Sequence, residues 1–139
     1  MPAPTVFLFD IDGTLLLTGG AGRRAVEGAF FRIVGRRDAC RSFSFGGMTD
    51  RAIARAGLIA VGETPDEARI DAVLEAYLEL LTDEVKTSDR YQVLPGVDAA
   101  IASLKRHAHC AIGLGTGNLR RGAEIKLSRG DLWRHFDFG

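Results

Sequence analysis

The feature that most constrains this chain lies near its start, where Thr5-Val6-Phe7-Leu8-Phe9 runs straight into Asp10-Ile11-Asp12-Gly13-Thr14. The first five residues are apolar, β-branched or aromatic without a break, the pattern of a strand covered on both faces in a parallel sheet. Two carboxylates follow at once, at i and i+2, so their side chains can point to one side of the strand end. Gly13 permits a tight turn there and Thr14 can bond locally. Two carboxylates set together are costly without a cation, so either a hard metal such as Mg²⁺ shares the site or one proton is retained. The pair points to a metal-assisted nucleophile; the alternative is a polar strand exit with two solvated aspartates. A calcium loop beginning at Asp10 is excluded, because Leu15 would stand where Gly belongs and Ala21 where the bidentate Glu belongs.

The remaining sequence narrows the class. With 139 residues, 46% of them hydrophobic and 26% charged, the chain is sized and composed for one folded domain. Eighteen basic residues balance eighteen acidic ones to a net charge of zero, and no clustered excess of Lys and Arg suggests nucleic-acid binding. No apolar run approaches the roughly 18–20 residues of a membrane span, and Met1-Pro2-Ala3-Pro4 carries no basic region ahead of Val6-Phe7-Leu8-Phe9, so a cytoplasmic location is expected. Cys40 and Cys110 have no C-x-x-C spacing and are expected to be reduced thiols without chemistry.

After Gly19-Gly20-Ala21-Gly22, the apolar positions Val26, Ala29, Phe30, Ile33 and Val34 fall at helical spacing and stop at Gly35. The turn Ser44-Phe45-Gly46-Gly47-Met48-Thr49-Asp50 precedes a second short helix and is a candidate substrate loop. Thr64-Pro65-Asp66-Glu67 predicts a helix start with Thr64 as cap, and Ile70, Val73, Leu74, Tyr77, Leu78, Leu81 and Val85 form its apolar stripe. A helix over Val97–Leu104 and a buried strand at Cys110–Leu114 follow. The strand opens into Gly115-Thr116-Gly117-Asn118, a helix from about Leu119 to Gly130, and a third strand beginning at Phe136-Asp137-Phe138-Gly139.

In an open parallel sheet, ligands sit beyond the carboxyl ends of the strands, and both strand ends here are polar. The pentad Asp10-Ile11-Asp12-Gly13-Thr14 after an apolar strand resembles the first motif of the haloacid dehalogenase superfamily of phosphohydrolases. That resemblance implies that Asp10 attacks phosphorus to form an aspartyl-phosphate and that Asp12 protonates the leaving group and then activates water. It also implies Mg²⁺ bound between Asp10, the Asp12 backbone carbonyl and the phosphate. Gly115-Thr116-Gly117-Asn118 resembles the second motif, in which a hydroxyl and backbone N–H groups hold the phosphoryl group, as suits a helix N-terminus; the resemblance makes Gly13, Thr14, Thr116, Gly117 and Asn118 the candidate phosphate-binding residues. Standing alone, the same loop is equally a helix N-cap at Thr116, and as a dinucleotide loop it puts Asn118 where the third Gly is required. Lys126 matches the motif III lysine; without the motifs it would be a solvated helical lysine.

The family's fourth motif, acids after a further strand in a Gly-Asp-x-x-x-Asp pattern, has no match, since Glu124, Asp131 and Asp137 fall in a helix, its end and the third strand. The resemblance therefore corresponds to the front two-thirds of such an enzyme. The strands it lacks would flank Thr5–Phe9, so an apolar strand edge is expected there, open to self-association. The implied fold is α/β: a three-layer Rossmann-like core with an incomplete parallel sheet over 1–16 and 92–139, and an inserted helical C1-type cap over 17–91. Arg23, Thr49, Asp50 and Arg51 lie on or beside cap turns and are candidates for substrate specificity, or else ordinary helix-terminal polar residues. His107 and His109 are expected at the surface. The expected ligand is a small phosphomonoester of the phosphoglycolate kind, hydrolysed with Mg²⁺, with activity expected to be impaired in a chain that lacks the fourth motif's acid. The alternatives are a phosphomutase of the same superfamily or a non-catalytic phosphate-binding or interaction module.

Overall fold

The computed structural model describes residues 3–139; the reading of Met1-Pro2 lies outside the described residues. In chain order the elements are β1 (Thr5–Phe9), β2 (Leu16–Leu17), α1 (Ala21–Val34), α2 (Asp50–Ala60), α3 (Glu67–Thr87), β3 (Gln92–Val93), α4 (Val97–Lys105), β4 (Cys110–Leu114) and α5 (Arg120–Arg129), with a single 3₁₀ turn at Trp133–His135. The architecture is mixed α/β, a small parallel sheet with helices, as expected.

β1 and β4 pair in parallel, from Thr5 opposite Cys110 to Phe9 opposite Leu114. The Gly115 N–H donates to the Phe9 carbonyl at 2.9 Å, so both strands end at one level and release their polar loops side by side. β2 and β3 form a two-residue antiparallel ribbon through which the chain leaves the core and returns. Beyond it the two legs stay together. Ser88 Oγ donates to the Thr18 carbonyl at 2.7 Å, both residues are buried, and Gly19 sits at φ +66° where an added Cβ would lie 2.6 Å from Arg90 Cβ. Only glycine fits that approach.

Two hydrophobic clusters result. In the insert, Phe30, Leu58, Ile70, Val73 and Leu81 pack α1, α2 and α3 together. In the core, Ile11, Leu15, Leu16, Ile112, Leu127 and Leu132 pack the post-β1 turn against β4, α4 and α5. Tyr91, on the returning leg, touches both. α1 ends at Gly35 in the left-handed conformation, its N–H bonded to the Phe31 carbonyl, the usual glycine stop.

The structure differs from sequence expectation in four places. β1 is not covered on both faces: Val6 and Leu8 are 53% and 62% exposed. Its strand neighbour among the described residues is β4 alone, and α4 and α5 pack toward β4. The third strand does not form; Phe136–Gly139 runs beside β4 with one ladder-like bond, Leu114 N–H to the Phe138 carbonyl at 2.9 Å. α3 is capped by Asp66, whose carboxylate accepts from the Arg69 N–H at 2.9 Å, and not by Thr64, because Asp66 directly precedes the first helical turn in extended conformation. β2 and β3 are too short to show a period in the sequence. Cys40 and Cys110 are both free, and burial pushes the Cys40 thiol up to about 11. Among the described residues no helix is long and apolar enough to cross a membrane.

Gly57 offers a test of the insert's packing. A Cβ at that position would come 2.3 Å from the Phe30 ring, which has no exposed surface. Gly57→Ala gains roughly 1 kcal/mol in helix propensity but overpacks the core at a cost of about 1–3 kcal/mol. The variant is expected to lose stability in urea unfolding; a raised midpoint would show that Phe30 has room to move.

Candidate functional site

The two strand-end loops form the floor of an open cleft of about 620 Å³, roofed by α1 and the loop before α2. Asp10 and Asp12 enter it from β1, Thr116, Gly117 and Asn118 from β4, and Lys126 from α5. From the insert come Arg23, Thr49 and Asp50. Chain segments far apart in sequence converge because the strands end in register.

Lys126 is the centre of the floor. It is only 5% exposed, and an ammonium at that depth persists only if its donors are occupied. Nζ donates to Asp12 Oδ1 at 2.9 Å, Asp12 Oδ2 at 3.0 Å and Asn118 Oδ1 at 2.7 Å. Asn118 completes the ring through Nδ2, donating to Asp12 Oδ2 at 2.9 Å and Thr116 Oγ1 at 2.8 Å. The lysine is held from behind as well: its backbone carbonyl accepts from the Tyr91 hydroxyl at 2.6 Å. Gly22 of α1 lies over Nζ, at a distance where an added Cβ would make ordinary contact at 3.7 Å.

Asp10 is exposed, and its Oδ1 accepts from the Ile11 N–H at 2.8 Å. Among the described residues no protein donor reaches its other oxygen. It is thus the carboxylate on the cleft floor that remains free to meet a metal or an electrophile. No group of three or more His, Cys, Asp or Glu residues suited to a metal occurs among the described residues. Glu124 and Asp131 are held by Arg121 and Arg134 at the surface.

Three sequence candidates do not line the cleft. Gly13, at φ +78°, and Thr14 build the turn instead, their N–H groups bonding the Leu16 and Ile11 carbonyls at 3.0 and 3.1 Å. Arg51 turns to the outer face of the insert, where it pairs with Glu67 and with Asp71; those carboxylates on α3 outbid the cleft for its charge. Two more candidates reach the cleft but are already engaged. Thr49 Oγ1 caps α2 by accepting from the Ala52 N–H at 3.1 Å. Asp50 accepts from the Leu119 N–H at 2.8 Å; burial pushes its carboxyl up, and the Leu119 bond and Lys126 pull it back. Arg23 stacks over Phe45 with its guanidinium 4.2 Å from the ring centre, and its nearest carboxylate, Glu27, is 3.8 Å away.

Phe45 and Tyr77 also line the cleft without having been singled out as site residues. Phe45 was detectable as the aromatic residue in a Gly-rich turn. Tyr77 was hidden in the apolar stripe of α3, and burial raises its phenol well above the usual range.

A profile of the family described as haloacid dehalogenase-like hydrolase matches residues 4–138. No curated protein sequence matches at a significant level. Among solved structures, CbbY from Rhodobacter sphaeroides in complex with phosphate superposes with a TM-score of 0.71 at 21% identity, over 97% of this chain and 62% of that one. A predicted phosphoglycolate phosphatase from Haemophilus somnus 129pt gives 0.66 at 11% identity, over 98% of this chain and 61% of that one. The HAD-hydrolase YfnB from Bacillus subtilis, bound to magnesium, gives 0.54 at 18% identity, over 99% and 64%. The chain thus spans less than two thirds of each, and at these identities the likeness establishes the fold. With the profile running from residue 4 to residue 138, the chain belongs to the haloacid dehalogenase-like hydrolases.

Proposed function

We propose that the protein hydrolyses a small phosphorylated metabolite, a phosphomonoester, through an aspartyl-phosphate on Asp10. The observation that carries this reading is the cleft floor itself. A free carboxylate stands beside a hydroxyl-and-amide loop at a helix N-terminus and a nearly buried ammonium, a set that suits an incoming phosphoryl group. Phosphate named with CbbY and magnesium named with YfnB support it.

The donor set fits Mg²⁺: oxygen ligands, few in number, with room for water and substrate. Asp10, with the backbone at Asp12, would hold the ion, and when bound it would supply charge neutralisation to nucleophile and phosphate. The side chains divide the remaining work. An Asp10 oxygen forms the bond to phosphorus as the ester P–O bond breaks, and Asp12 gives its proton to the departing alkoxide. Water then attacks phosphorus, Asp12 takes the proton, and the Asp10 carboxylate is regenerated. Both Asp12 oxygens accept bonds, from Lys126 and Asn118, and these donors are of the kind that phosphate oxygens also attract. An incoming phosphoryl group would therefore compete with Asp12 for them.

Specificity would fall to Arg23. Thr49, Asp50 and Arg51 are committed to protein partners, whereas the Arg23 guanidinium is fixed by Phe45 and weakly paired. A second anionic group on the substrate would meet it there.

The direct test is phosphate release from a panel of small phosphomonoesters with Mg²⁺ present. Turnover is expected, with EDTA abolishing it and Asp10→Asn lowering it by at least about 10³-fold, the scale of nucleophile removal. Turnover surviving in Asp10→Asn would overturn the mechanism. Replacing Lys126 with Met is expected to cut kcat/KM by about 10²–10³-fold, as for loss of one transition-state donor, and Lys126→Arg should recover part of it. Steady-state kinetics on folded variants will decide; an unchanged kcat/KM would confine the lysine to structure.

A further inference from the structure

Asp50 was nominated as a substrate contact, yet its bonds point elsewhere. Leu119 stands at the cap position just before α5 and makes no side-chain cap bond. The third residue of α5, where a capping box places a Glu that reaches back to the cap residue's N–H, is Gly122. That N–H is taken instead by Asp50 Oδ2, at 2.8 Å across a sequence separation of 69 residues. A Cβ on Gly122 would stand 3.7 Å from the same oxygen, so the Asp50 carboxylate fills the side of the helix that an in-chain Glu would have used. The contact is reciprocal, since the Asp50 N–H donates to the Gly117 carbonyl at 2.9 Å. Gly117 is needed for it: a Cβ there would lie 2.6 Å from the Met48 carbonyl oxygen. α2 has no use for the Asp50 carboxylate, because Thr49 already caps it. An acid serving only its own helix start would turn to water, yet this one accepts burial that opposes its charge.

We propose that Asp50 is a positioning residue that completes the N-terminus of α5 from the insert, making the placement of the Thr116–Asn118 loop and of Lys126 conditional on the insert being docked. The proposal deepens the phosphatase reading and, for its kinetic part, rests on it. With the insert docked, Leu119 is capped, Asn118 is fixed beside Thr116, and α5 presents Lys126 to Asp12. With the insert displaced, α5 loses its cap, and the phosphate-binding loop loosens while solvent has access to it. The catalytic floor is then assembled only under a closed roof, which limits water at the phosphorus to moments when the loop is in order.

The experiment compares wild type with Asp50→Ala and Asp50→Asn, each first shown to be folded by near-UV circular dichroism. Hydrogen exchange, read by mass spectrometry without any substrate, should show protection over residues 115–122 falling about tenfold in Asp50→Ala and largely kept in Asp50→Asn, which retains an acceptor oxygen. Wild-type protection in Asp50→Ala would overturn the proposal whatever the protein's activity. On the phosphomonoester turned over best, Asp50→Ala should lower kcat about tenfold or more with KM changed less than about threefold, and Asp50→Asn should recover most of it. A raised KM at unchanged kcat would overturn it too, by making Asp50 a substrate contact. Absence of turnover in wild type would overturn the phosphatase reading alone, with the exchange result still deciding whether Asp50 orders the loop.

Discussion

An ammonium buried to 5% exposure, Lys126, is the constraint on which the site depends. Its charge is tolerable at that depth only because three acceptor oxygens on two different loops surround it. To supply them, Asp12 must arrive from the end of β1 and Asn118 from the loop after β4. That in turn requires the two strands to finish level, as the Phe9–Gly115 bond shows they do. The parallel register, the turn at Gly13 and the anchoring of α5 by Tyr91 all serve the same placement. The fold of the core is in this sense organised around one solvation problem.

That arrangement bears on the proposed reaction as well. A salt bridge left half-exposed on the Asp12 side, with that side chain 49% accessible, contributes little stability by itself. The donors on Asp12 are of the kind a phosphate dianion attracts, so under the proposed reading the same atoms would serve both as structural partners and as ligand contacts. Asp10, with a single backbone donor, is not part of this sharing and remains available.

Much of this was legible in the residues. The β1 and β4 strands were readable because short apolar runs ended in polar loops, and the α3 stripe because seven apolar positions kept helical spacing. The pair Asp10 and Asp12 was marked out by type and spacing, the Thr116 loop and Lys126 by the family resemblance, and the structure sets them in one cleft. What escaped was non-local. The identity of the α3 cap turned on whether Thr64 or Asp66 adopted the boundary conformation. Arg51 was diverted by carboxylates on α3 that no local pattern connects to it. Asp50 reaches Leu119 across the chain, a relation invisible until both segments are in space. The exposed faces of Val6 and Leu8 likewise reflect which neighbours β1 has, a property of topology and not of its own sequence.

The ribbon of β2 and β3 has an evolutionary consequence. Because the insert departs and returns through two paired residues on each side, with Thr18 and Ser88 bonded just beyond, its ends are neighbours in space. A segment attached in this way is modular: it can be lengthened, exchanged or reduced to a tight turn while the strand pairing and the loops at the strand ends stay as they are. Under the proposed function, selectivity and chemistry would thereby sit on separately mutable parts of one chain, and a lineage could change its choice of substrate without rebuilding the atoms that react.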